Sequence, residues 1–122
     1  RKNDIDVILH LAAIVPIKEF NKSVKKSFKV NITGTKFLVD AIIKFQSKKI
    51  WFFYSSTSHV YKLNNRSIKT KETDKCNPQS AYGLSKREAE KYIIKNRIIF
   101  FSSFAYSHHY FFRIIDYTNM HG

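Results

Sequence analysis

Two short apolar runs, each followed by a stretch of helical periodicity, constrain this 122-residue chain more than any other feature. The first, DVILHL from Asp6 to Leu11, is nearly continuous in apolar character, the pattern of a parallel strand covered on both faces. The second, IWFFYS from Ile50 to Ser55, reads as another buried strand. Between them, Pro16 to Phe20 reads as a loop. Asn21 to Phe45 then carries Val24, Phe28, Ile32, Val39, Ile42 and Ile43 at three-to-four spacing, with Thr35 on the same side, which predicts one long amphipathic helix. Gly34, inside that helix, costs about 1 kcal/mol relative to alanine and predicts close approach to a neighbouring strand. After a polar loop from Leu63 to Asn77, a second helix is predicted from the Pro78 to Ala81 lead-in to about Lys95, packing through Leu84, Ala89 and Ile93. Beyond Arg97 there is apolar material for one more strand, near Tyr110 to Ile115. Parallel strands joined by helices make an α/β arrangement, read here as one domain spanning residues 1–122.

Composition narrows the class of partner. Hydrophobic residues at 43% and charged residues at 25% are those of a folded domain, and no apolar run approaches the ~20 residues a membrane span needs. The formal charge of +13 invites a nucleic-acid reading, yet the lysines are spread from Lys2 to Lys95, and the densest run, Lys22 to Lys29, is interrupted by Ser23, Val24, Ser27 and Phe28. A solvated basic helix face accounts for that spacing, so neither a nucleic acid nor a membrane is expected as partner. The single cysteine, Cys76, cannot form an internal disulfide, and the expected compartment is the cytoplasm. His10 has no second ligand at metal spacing, and His108 and His109 would point to opposite sides of a strand, so no metal site is expected.

Chemistry concentrates at the ends of the predicted strands. Ala12 and Ala13 follow the first strand with almost no side chain, at the carboxyl end where α/β sheets bind ligands. The second strand runs into the hydroxyl cluster SSTS, Ser55 to Ser58. Tyr82 and Lys86 stand four residues apart at the start of the second helix, hence on one face, where a fixed cation beside a phenol favours the phenolate. Tyr82 is therefore a candidate general acid or base, and the Thr57 hydroxyl, which both donates and accepts, is a candidate relay.

HLAA at His10 to Ala13, NITGT at Asn31 to Thr35, SSTSHVY at Ser55 to Tyr61 and YGLSK at Tyr82 to Lys86 together resemble the extended short-chain dehydrogenase/reductase family, the NAD-dependent nucleotide-sugar epimerases and dehydratases. The resemblance runs from Asp6 to about Ile94. It implies a partial Rossmann-type doubly wound parallel sheet with helices on both faces, lacking the first βα units and the C-terminal substrate-binding part. It implies NAD, or NADP, as cofactor, with Leu11, Ala12, Ala13, Ser55, Ser56, Tyr82 and Lys86 as its contacts. The catalytic set carried over is Tyr82, Lys86 and Thr57. Thr57, Ser58 and Asn119 would touch a nucleotide-sugar substrate, and Asn31 would support the site from behind. Lys86 would hold down the Tyr82 pKa and bond the nicotinamide ribose, while Glu72 sits where the family has a recurrent loop acid.

Three departures qualify what is implied. Lys62 replaces the glycine after VY. Ser58 and His59 stand where related dehydratases keep an acid, so epimerisation or keto reduction is expected ahead of dehydration. The only glycines, Gly34, Gly83 and Gly122, make no dinucleotide-binding turn, so a fragment of a longer enzyme is expected. The resemblance implies a homodimer for the complete protein, and the unpaired edges of a partial sheet predict marginal stability and aggregation for the chain alone. A catalytically inert fragment is the rival expectation. The arginine-to-asparagine segment that the family would show next fits in part in two registers: Arg113 to Asp116 keeps the arginine but replaces the asparagine, and Asn119 to Gly122 keeps the asparagine but puts Asp116 at the arginine position.

Overall fold

The computed structural model describes residues 5–15, 22–45, 50–62, 70–71, 73–96, 100–106 and 109–115. Strand β1 spans Val7–His10, one residue shorter at each end than its apolar run. Strand β2, Trp51–Ser55, lies parallel to it, with Val7 opposite Trp51 and His10 opposite Tyr54. Two further strands complete a sheet of order β1-β2-β3-β4. β3, Phe100–Tyr106, is parallel to β2, whereas β4, His109–Ile115, returns antiparallel along β3. The strand expected near Tyr110 to Ile115 is present. The strand before it was not anticipated, and its antiparallel mate departs from an all-parallel sheet.

The long helix between β1 and β2 is divided. Helix α1 spans Lys22–Phe28, a π-helical turn spans Lys29–Gly34, and α2 spans Thr35–Phe45. A π-turn inserts one residue into the helical ladder and commonly marks a functional position. Helix α3, Ala81–Lys95, begins at Ser80, whose side chain accepts from the Gly83 N–H at 3.0 Å, a helix cap of about 1 kcal/mol.

The core lies between β2 and the two long helices. Val39 and Ile42 of α2, Phe52 and Tyr54 of β2, and Ala89 and Ile93 of α3 are buried together, with Ile8 of β1 packed against them. Strand residues alternate in direction, so the partners of this set point the other way. There Val7 is 55% exposed, Leu9 63% and Trp51 61%. The expectation that β1 is covered on both faces therefore fails: the described helices all pack on one face of the sheet, and apolar character persists on the face they leave open. Leu84 and Ile43, placed by periodicity on packing stripes, are likewise exposed. Among the described residues no helix is long and apolar enough to cross a membrane.

Candidate active site

The turn that follows β2 is held by its own hydroxyls. Thr57, extended in backbone, accepts from the His59 N–H at 3.3 Å and opens a short 3-10 turn over Ser58–Val60. Buried Val60 and Tyr61 fix that turn from below, and the Val60 carbonyl accepts from the Asn77 N–H at 2.9 Å. The first turn of α3 presses directly on it. A Cβ at Gly83 would fall 2.1 Å from the His59 carbonyl oxygen, so the helix approaches this closely only because residue 83 has no side chain. Close approach was expected at Gly34 instead, where a Cβ would meet nothing within 4 Å.

This contact sets Tyr82 beside Thr57. The Tyr82 ring meets His59 edge-on, with centroids 5.9 Å apart. Burial raises the Tyr82 phenol above its ordinary value, and the nearby Thr57 hydroxyl opposes that rise. Lys86, expected to hold the phenol down, is directed to Tyr54 in this arrangement. Its side chain is buried, only 2% exposed, and the ammonium rests 4.3 Å above the centre of the Tyr54 ring. An i, i+4 spacing places two residues on one face but leaves the long lysine free to fold inward, and an aromatic face offers a buried cation a partner. Burial brings Lys86 down to about 8, against an opposing pull from Glu90.

Beneath the pair lies a polar network rooted in the π-turn. Asn31, buried, accepts from the Ile14 N–H at 2.8 Å through Oδ1 and donates through Nδ2 to the Ile14 carbonyl at 3.0 Å and to Ser85 Oγ at 3.1 Å. Ser85 in turn donates to the Tyr82 carbonyl at 2.8 Å. One amide thus ties the segment after β1 to the helix that carries Tyr82 and Lys86. Thr35 Oγ1 donates to the Asn31 carbonyl at 2.7 Å and lies 2.8 Å from His10 Nε2. A hydroxyl has one hydrogen, so His10 must donate here, which fixes its Nε2–H tautomer and leaves Nδ1 as acceptor. Burial, then Lys86, lowers the His10 pKa.

The remaining expected residues divide. Leu11, Ala12 and Ala13 are exposed at the end of β1, and Ser55 and Ser58 are partly so. Ser56 is buried and donates to Glu90 Oε1, which turns its side chain inward. Glu72 and Asn119 lie outside the described residues, as does Asp116. Among the described residues no cluster of His, Cys, Asp or Glu could hold a metal. Sequence reasoning missed Glu90, Ser85, Gly83 and the Tyr54 platform. The signal for Glu90 was present: Tyr82, Lys86, Glu90 and Ile93 form one stripe at helical spacing, so a carboxylate among them belongs to the packed side.

Thr57 thus follows the carboxyl end of a parallel strand, the end at which α/β sheets bind ligands, and the first turn of α3 brings Tyr82 to it. The chain belongs to the GDP-mannose 4,6 dehydratase family, whose sequence profile matches residues 1–113. It is 34% identical over 99 residues to dTDP-D-glucose 4,6-dehydratase of Dictyostelium discoideum, covering 73% of this chain and 22% of that protein. It is 39% identical over 87 residues to UDP-glucose 4-epimerase of Lacticaseibacillus casei, covering 71% of this chain and 25% of that protein. Among solved structures, UDP-glucuronic acid 4-epimerase of Bacillus cereus, in complex with UDP-glucuronic acid and NAD, superposes with a TM-score of 0.68 at 29% identity. That match covers 80% of this chain and 32% of the other. The chain therefore spans about a quarter of the length of these curated relatives.

Proposed function

We propose that this chain carries the acid–base centre of an NAD(P)-dependent nucleotide-sugar epimerase that works through a transient keto intermediate. The observation that carries this reading is the half-buried Tyr82 phenol at the first turn of α3, which Gly83 lets press onto the turn that Thr57 opens, with the Thr57 hydroxyl near enough to lower the phenol's pKa. Even raised by burial, a phenol is a stronger acid than a sugar hydroxyl and can protonate a forming alkoxide. Taking a proton from a sugar hydroxyl requires stabilising the phenolate, for which the Thr57 hydroxyl is in place and the Lys86 ammonium lies one turn along α3. Thr57 can accept from the sugar hydroxyl while donating to the phenol, so one proton passes between sugar and Tyr82 in either direction.

The residues present fit the nicotinamide end of the cofactor. Ala12 and Ala13, after β1, are exposed with nothing beyond Cβ to block a flat ring, Thr57 follows the end of the neighbouring strand β2, and α3 carries Tyr82 and Lys86. When bound, the nicotinamide supplies the two-electron acceptor and donor that the sugar carbon needs. Among the described residues near Thr57 the exposed and half-exposed positions Ser58 and His59 carry no carboxylate, and Glu90 is turned inward on Ser56 and Arg87. An elimination of water needs an additional acid at the sugar, so epimerisation is favoured over dehydration.

The test is Tyr82→Phe in the full-length protein, assayed with NAD and a panel of UDP- and dTDP-sugars by product NMR. Epimer formation should fall about 100-fold or more while the sugar nucleotide still binds. An unchanged turnover number sinks the reading. A 4-keto-6-deoxy product from the unaltered enzyme would establish dehydration in its place, and stoichiometric consumption of NADPH would establish reduction.

A further inference from the structure

Glu90 is 1% exposed, a buried ionisable group that the acid–base scheme leaves without a task. It stands four residues after Lys86, so the two share one face of α3, turned towards β2. Its two oxygens have separate partners. Oε1 accepts from Ser56 Oγ, thirty-four residues away in sequence, and Oε2 pairs with Arg87 Nη1 at 2.8 Å. Ser56 precedes Thr57, so the carboxylate grips the strand end immediately beside the hydroxyl that faces Tyr82. A buried carboxylate that keeps its place needs such partners, because without them its desolvation costs several kcal/mol.

We propose that Glu90 is a positioning residue, the anionic anchor that clamps the end of β2 at Ser56 to α3 and balances the buried Lys86 ammonium held over Tyr54. The inference rests on the acid–base reading of Tyr82, Thr57 and Lys86. The other charged or titratable groups that bear on this cluster are His10 from β1, Tyr54 from β2, Tyr61 and Cys76 beside Arg87, and Arg87 itself. Arg87 occupies one oxygen of Glu90 from the solvent side, where its side chain is 22% exposed, which leaves the inward side of the carboxylate as the counter-charge for Lys86. Glu90 also weighs on the Tyr54 phenol, which burial and then Glu90 push far above its ordinary range, so the platform under Lys86 stays neutral.

The experiment follows Lys86 itself in the full-length protein, through the Cε resonance of carbon-13-labelled lysine titrated by NMR. Glu90→Gln keeps shape and an acceptor for Ser56 but removes the charge. The Lys86 dissociation constant should rise about tenfold, with the exposed lysines unmoved. An unmoved Lys86 midpoint in a variant with native amide dispersion overturns the proposal. Should Glu90→Gln fail to fold, the unaltered protein decides: the Glu90 carboxyl resonance must show an inflection at the Lys86 midpoint, and a featureless curve there overturns the proposal equally. The pH profile of turnover separates this inference from the functional one. If Lys86 moves in Glu90→Gln but the profile does not, Glu90 stands as the anchor and the catalytic part given to Lys86 falls.

Discussion

The two faces of the same pair of strands differ more than any two elements of the molecule. On one face Ile8, Phe52 and Tyr54 meet α2 and α3 and are wholly or largely buried. On the other Val7, Leu9 and Trp51, alternating with them along the same strands, lie open. Side-chain type does not separate the two sets, since both are apolar. What separates them is whether a helix lies over them, and the most deeply buried polar groups of the candidate site, Asn31, Thr35, Ser85, Lys86 and Glu90, are on the covered side. The chemistry and the packing thus share one layer, while the open face presents the kind of contiguous apolar surface that further protein normally covers.

The most direct way to break this comparison is to truncate one residue on each face. Phe52→Ala removes a fully buried ring between two helices and should cost about 3–5 kcal/mol in urea unfolding. Leu9→Ala, one register position away on β1, removes a side chain already 63% exposed and should stay within about 0.5 kcal/mol. Equal losses would show that the open face is covered in solution.

Next in size is the pH dependence that burial on the covered face imposes. Lys86 titrates near 8 when folded against 10.5 as a free side chain, so between those values the unfolded chain binds more protons than the folded one. Stability then rises with pH across that window, by at most about 3 kcal/mol. Tyr54 and Tyr82 act oppositely: both are raised by burial, the unfolded chain loses their protons first, and stability falls from about pH 10 upward. Melting temperature against pH should therefore pass through a maximum between about 8 and 10. A flat or falling profile from pH 7 to 9 would mean that Lys86 is not buried.

Much of this was legible in the sequence. The continuous apolar runs gave the parallel strands β1 and β2, and three-to-four spacing gave the helices. The coverage of each face was not legible, because a run apolar on both sides is written identically whether or not a second layer is present. Nor was the direction of Lys86, since spacing fixes a helical face and not a rotamer. Glu90 was hidden in KREAE, which reads as a solvated charge run unless Ile93 is used to extend the Tyr82–Lys86 stripe. The π-turn left no trace, because one inserted residue barely disturbs the apolar stripe around Asn31. The β3–β4 hairpin was half seen, as its connection lacks the Gly, Pro, Asn or Asp that announce most tight turns.

Two glycines sharpen the contrast between packed and open surroundings at the scale of a single methyl group. At Gly83 an added Cβ meets the backbone of His59, which cannot rotate away, so Gly83→Ala must displace the turn that Thr57 opens. A loss of about 1–3 kcal/mol is expected, and the Tyr82 phenol, deprived of Thr57, should titrate higher by ultraviolet difference absorbance. At Gly34 the same methyl enters empty space. Position 34 closes the π-turn and the helical backbone continues through the αR residue Thr35, so alanine suits the local conformation and removes only the freedom glycine has when unfolded. Gly34→Ala should therefore stabilise the chain by about 0.4–1 kcal/mol in the same urea experiment. Destabilisation there would mean that the π-turn needs its glycine, and with it that the Asn31 network is held by backbone geometry as much as by hydrogen bonds to Ile14 and Ser85.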